Sequence, residues 1–213
     1  MKRKPSGFTL IEIAIVLVII GLLLSGVLKG QELINSAKVK NLADDFRNVP
    51  VYIYGYQDKY RALPGDDGAT AIHLGTNAVA GTGGTLANGL IEGTWADTGT
   101  KETHVFWQHV RLANFAAGSV DTAVDIRPDN AVGGKVGITN SAASPITGLT
   151  GSYIICSNAI PGKFAKQLDI TLDNALTDSG SLRVVAAGTT IATAAIAVAN
   201  IVDDTPYLVC MGI

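Results

Sequence analysis

The chain is poor in charge, cysteine, histidine and aromatic residues, and each shortage closes a class of function. Asp, Glu, Lys and Arg make up 16% of its 213 residues, against about 25% in an average soluble chain. With 47% hydrophobic residues and a net charge of −2, a disordered polyelectrolyte is excluded. So is a nucleic-acid binder that works by bulk basicity. Two cysteines exclude a disulfide-dense miniprotein and a four-cysteine zinc centre. Of three histidines, His104 and His109 stand five apart, not the four of a helical zinc pair, which favours core or surface roles over metal ligation. There is no G-x-S-x-G and no acid pair in a helical frame, so no catalytic constellation is expected. Gly81-Thr82-Gly83-Gly84-Thr85 is followed by no Lys-Ser/Thr and reads as surface loop, not as a phosphate cradle.

What the chain does have is concentrated at its start. Fifteen of the 21 residues from Phe8 to Leu28 are Phe, Leu, Ile or Val. A helix of that length spans roughly 32 Å, the thickness of a bilayer core. Lys2, Arg3 and Lys4 precede it with no acid among them, so the positive-inside rule keeps the leader cytoplasmic and exports the rest. The run is longer than the 7–15 apolar residues of an ordinary secretory signal and no small-x-small cleavage site follows it. Glu12 lies inside it. An intramembrane carboxylate is expensive, and it is by default a functional residue with a partner to find.

A basic leader, Gly7, then Phe8-Thr9-Leu10-Ile11-Glu12 and an unbroken apolar helix resemble the signal of type IV prepilins. The resemblance covers about residues 1–30 and is closest to the type IVa subclass and to type II secretion pseudopilins. It implies an α+β type IV pilin fold, a long N-terminal helix packed on an antiparallel sheet. It implies cleavage after Gly7 by a prepilin peptidase, N-methylation of Phe8, and transfer of the helix from the inner membrane into a filament core. Glu12 then acquires a partner: a lone carboxylate or ammonium in that core would cost several kcal/mol, and pairing Glu12 with the Phe8 amine of a neighbouring subunit offsets both and sets the register. Without the leader the net charge is −5, and residues 62–213 carry 7 basic and 13 acidic side chains, which argues against DNA binding by the head as a whole.

Three divisions follow: a cleaved leader 1–7, a long helix 8–61 with its membrane or filament-core part at 8–28, and a β-rich head 62–213. Leu33, Ala37, Leu42, Phe46, Val49 and Ile53 recur at helical spacing. Pro50 predicts a kink near Phe46–Pro50. Gly21, Gly26 and Gly30, where many pilins carry a proline, lower the cost of local melting. Tyr52, Tyr56 and Tyr60 are expected to pack the helix on the sheet rather than to relay electrons. Leu63-Pro64-Gly65-Asp66-Asp67-Gly68 is a strong turn signal; Tyr60 to Asp67 resembles a segment of many proteobacterial prepilin-type proteins. Asp66 and Asp67 are also weak calcium candidates, although no EF-hand spacing surrounds them.

Residues 68–104 read as a polar outer loop and His104–Ala113 as a short helix with Phe106, Val110 and Ala113 on one face; the tract 102–118 also resembles one that prepilins share. Strands are expected at Gly134–Thr139, Ser152–Cys156, Leu182–Ala186, Thr190–Val202 and Tyr207–Met211, with the alanine-rich 192–199 open between strand and helix. A helix is expected at Pro161–Leu168, with proline first. Cys156 and Cys210 both lie in the exported part, which favours a disulfide over two buried thiols. In pilins such a pair bounds the D-region, here 156–210, with 166–183 solvent-facing. The expected function is that of a structural subunit of a type IV pilus, a homo-oligomeric surface filament built with the assembly machinery and minor pilins, without catalysis, cofactor, nucleic acid or small ligand. A type II secretion pseudopilin is the alternative, and a membrane-anchored binding protein with an uncleaved leader a third class.

Overall fold

The computed structural model describes residues 9–213. Helix α1 runs from Leu10 to Tyr60, and the chain divides into two compact units, the second beginning at Val39. In the first unit the large apolar side chains from Leu10 to Leu28 are each 46–92% exposed. A window of mean hydropathy 2.8 with no buried residue marks a span long and apolar enough to cross a membrane.

In the second unit the same helix is amphipathic. Val39, Leu42, Phe46, Val49, Ile53 and Tyr56 are buried on one stripe, at the spacings that return a side chain to one face. Pro50 sits within the helix without ending it: Phe46, Val49 and Ile53 are anchored in the core around it, which offsets the lost hydrogen bond.

Four antiparallel strands form the sheet, in the order β1-β2-β4-β3. They are β1 (Val136–Asn140), β2 (Tyr153–Pro161), β3 (Leu182–Ala186) and β4 (Pro206–Gly212). β2, β3 and β4 carry apolar residues on both faces, so the sheet is covered twice. One face, with Ile138, Ile155, Val184 and Val209, joins the α1 stripe and Phe106, Trp107 and Val110 of helix α3 (Glu102–Leu112) in the main core. The other, with Ile154, Cys156, Val185, Leu208 and Cys210, lies under Trp95, Ile146 and Leu149. The α+β class expected from the sequence is the one observed, and it matches the pilin fold.

Several expectations need correction. Strand Thr190–Val202 does not form. That stretch connects β3 to β4, making one isolated bridge between Thr193 and Ile146 and a short 3-10 turn at Val198–Asn200. Its alanines are too small to build a buried face. It instead guards an edge: the Ile196 N–H donates to the Val184 carbonyl, and the Val184 N–H donates to the Thr177 carbonyl. The open side of β3 is thereby closed without another strand.

The 68–104 tract is not purely surface loop. It contains helix α2 (Thr70–Leu74) and buries Ile91 and Trp95. Helix α3 is buried all round over 102–110 rather than on one face, because the tract before it and the segment after it wrap its outer side. Helix α4 spans Gly162–Leu172, and Pro161 is its cap rather than its first residue. Within 166–183, Leu168, Asp169, Thr177 and Leu182 are buried, so only part of that stretch faces solvent.

Candidate functional site

The residues singled out by the signal begin where α1 begins. Gly7 and Phe8 lie outside the described residues. Thr9 stands just before the first helical residue, Leu10, and Glu12 is in the first turn. The Glu12 carboxylate accepts from the Thr9 backbone N–H and from the Thr9 hydroxyl, both at 2.7 Å, while the Glu12 N–H points back at the Thr9 hydroxyl at 3.4 Å. This is a capping box: two donors that the helix leaves without carbonyl partners face side-chain oxygens reciprocally. A negative charge there is also favoured by the helix dipole. Glu12 is thus held by its own chain in the first turn of α1. The pattern Thr9-x-x-Glu12 is itself a sequence signature of such a cap, set within the apolar run.

The Leu63–Gly68 turn is folded inward. Asp66 and Asp67 are both buried, and their oxygens are taken. Asp66 accepts from the backbone N–H groups of Gly89 at 2.7 Å and Asn88 at 3.3 Å. Asp67 accepts from the Tyr56 hydroxyl at 2.6 Å, from His73 Nδ1 at 2.7 Å and from the Ala69 N–H at 2.8 Å. Burial opposes ionisation of Asp67, but the bonds from Tyr56, His73 and Ala69 outweigh it and hold the carboxyl below its ordinary value. Burial and the same carboxylate push the Tyr56 phenol far up. Tyr60 stacks on His73 with ring centroids 5.1 Å apart and packs at a tilt against Tyr56 at 4.7 Å. Tyr56 and Tyr60 therefore lock the turn to α1, a correction to the expectation that they face the sheet; Tyr54 is exposed. Among the described residues no group of three or more His, Cys, Asp or Glu side chains is placed to hold a metal ion.

His104 and His109 are buried cross-braces. His109 Nδ1 accepts from the Gly65 N–H at 2.9 Å, and its Nε2–H donates to the Val79 carbonyl at 2.8 Å. His104 Nδ1 faces the Gly99 carbonyl at 2.7 Å, and its Nε2 accepts from the Ile126 N–H at 3.1 Å. Each ring has one donor and one acceptor role, which fixes a neutral tautomer. Gly65 makes this possible: its φ is +94°, and a Cβ there would fall 2.5 Å from the Glu102 carbonyl oxygen.

Cys156 and Cys210 form a disulfide. They are directly opposed in the β2–β4 register, on the face beneath Trp95, and both are buried.

Comparisons with known proteins speak to the first of these places. No curated protein and no solved structure matches the chain. The family model described as the prokaryotic N-terminal methylation motif matches residues 2–28. That interval takes in Gly7, Phe8, the Thr9–Glu12 cap and the apolar span, and it is a signal that prepilin peptidases process. The chain therefore carries, over residues 2–28, the class III signal of type IV pilins, which supports a pilin-like or pseudopilin secreted subunit.

Proposed function

We propose that the chain is a structural subunit of a type IV pilus. It is inserted in the inner membrane as a precursor, cut after Gly7, methylated on Phe8 and polymerised through α1 into a surface filament. The observation that carries the proposal is the apolar surface of Leu10–Leu28, 46–92% exposed at each large side chain behind a methylation motif. Such a surface is stable only in lipid or against other apolar helices. The bilayer satisfies it before assembly and the helices of neighbouring subunits satisfy it afterwards. In the filament, Glu12 exchanges its Thr9 cap for, or shares it with, the Phe8 amine of a neighbour. No bond is made or broken by the subunit itself; its work is to be cut, methylated and packed. The filament's partners are further copies of the chain, the peptidase, the assembly machinery and minor pilins.

Glu12→Ala tests the reading. Expected are intact cleavage and loss of sheared filaments or of N-methylation; normal filaments with normal methylation in that variant would overturn the role of Glu12. A cleaved, methylated subunit that never leaves the periplasm would instead assign the chain to a pseudopilus.

A further inference from the structure

Beneath the loop Gly83–Thr85, two carboxylates converge with one oxygen left over. Glu102 is fully buried at the start of α3. Its Oε2 accepts from the Glu92 N–H at 2.7 Å, and its Oε1 is buried with no partner. The Glu92 carboxylate accepts through Oε2 from the Thr85 N–H at 2.8 Å and from Asn88 Nδ2 at 2.9 Å. Both carboxylates meet under the Gly84 backbone: a Cβ there would fall 2.8 Å from Glu102 Oε1 and nearer still to Glu92 Oε2, so the two oxygens lie close together. Any side chain at 84 would strike them, so only glycine lets the loop close over the two carboxylates. Gly83, Gly84 and Thr85 are exposed, so only this loop separates the pair from solvent. Lys101 Nζ stands over Gly83, and no ion pair joins it to either carboxylate among the described residues.

We propose that Glu92 and Glu102 form a divalent-cation site, of calcium type, closed over by the Gly83–Gly84 turn. A buried anionic oxygen without a donor is costly, and a second carboxylate beside it raises that cost unless a positive charge lies between them. Burial first, then the charges of Asp66 and Glu92, raise the Glu102 carboxyl above its ordinary value despite the Glu92 N–H; a cation reverses that balance. Two carboxylates are fewer than a preformed rigid cage needs. Calcium tolerates this because carbonyl and water oxygens complete its flexible shell, whereas magnesium demands near-ideal octahedral geometry. The site is separate from the Asp66–Asp67 turn, whose oxygens are already engaged, and it does not depend on the filament reading. Its effect is to tie the outer loop 81–92 to the first turn of α3.

The test is calorimetric unfolding of the full chain in detergent, with calcium, with magnesium and with a chelator. At an affinity typical of extracellular calcium modules, about 10 mM calcium should raise the unfolding midpoint by about 3–10 °C. Magnesium should raise it much less. Glu92→Gln, at a half-buried position that tolerates change, should lose most of the calcium shift, and Glu102→Gln all of it. No calcium shift in the unaltered chain overturns the proposal, as does a shift retained in both variants, which would put the ion elsewhere. A midpoint that climbs as pH falls from 7 to 5, with no response to calcium, would also overturn it and give the pair a shared proton instead.

Discussion

Asp45 sits half-buried on α1, and burial together with the neighbouring Asp44 charge pushes its carboxyl up to about 6 from 3.8. The folded chain therefore holds that proton more tightly than the unfolded chain. The stability linked to it is fully present below pH 3.8 and is lost as pH rises through about 6. Asp45→Asn should accordingly be more stable than the unaltered chain at pH 7.5 and lose its advantage at pH 4, as read from urea midpoints at the two pH values. His109 behaves oppositely. Burial holds its imidazole below the ordinary 6.5, so its contribution is present above that value and is lost as pH falls toward the folded one. His109→Leu strips the Gly65 N–H and the Val79 carbonyl of their partners and should cost about 2–4 kcal/mol in the same measurement at pH 7.5. Such roles were hidden in the sequence. The His104–His109 spacing argued against a zinc pair but could not reveal Gly99, Ile126, Gly65 and Val79 as partners, because all four come from other segments.

At the scale of elements, legibility followed locality. The long helix, the strand Leu182–Ala186 and the turn after Tyr60 were readable because apolar spacing, β-branched residues and Pro-Gly-Asp signals act within a few residues of themselves. The run 190–202 is ambiguous because small alanines between scattered Ile and Val residues favour neither period; β3 decides its course, since Ile196 and Thr177 close that strand's free edge. The inward folding of 68–104 was equally unreadable, since Ile91 and Trp95 are spaced by no period and are buried by what they meet. The disulfide lends itself to a direct test. Cys156 and Cys210 close a loop across 54 positions, and in the chain-entropy model such a bond stabilises by about 4 kcal/mol. Cys156→Ser with Cys210→Ser should lower the unfolding free energy by an amount of that order, seen as a reduced urea midpoint. An unchanged midpoint would mean that β2–β4 pairing and the Trp95 layer hold that face without the bond.

For the whole molecule, two kinds of surface account for the composition that first set the chain apart. The low charge comes from an N-terminal helix whose apolar side chains are uncovered and from a head whose sheet is buried on both faces, and the acidic residues of the head are spent partly inside it, at Asp66, Asp67, Glu102 and Asp169. The life history proposed for a chain with this motif and this uncovered helix is insertion, cleavage, methylation and assembly. The most direct test of that history is mass spectrometry of the mature N-terminus, performed on filaments sheared from the cell surface and seen by electron microscopy. The account predicts that the main sheared band is this chain beginning at N-methylated Phe8. A chain that still begins at Met1, found only in the membrane fraction, would contradict it.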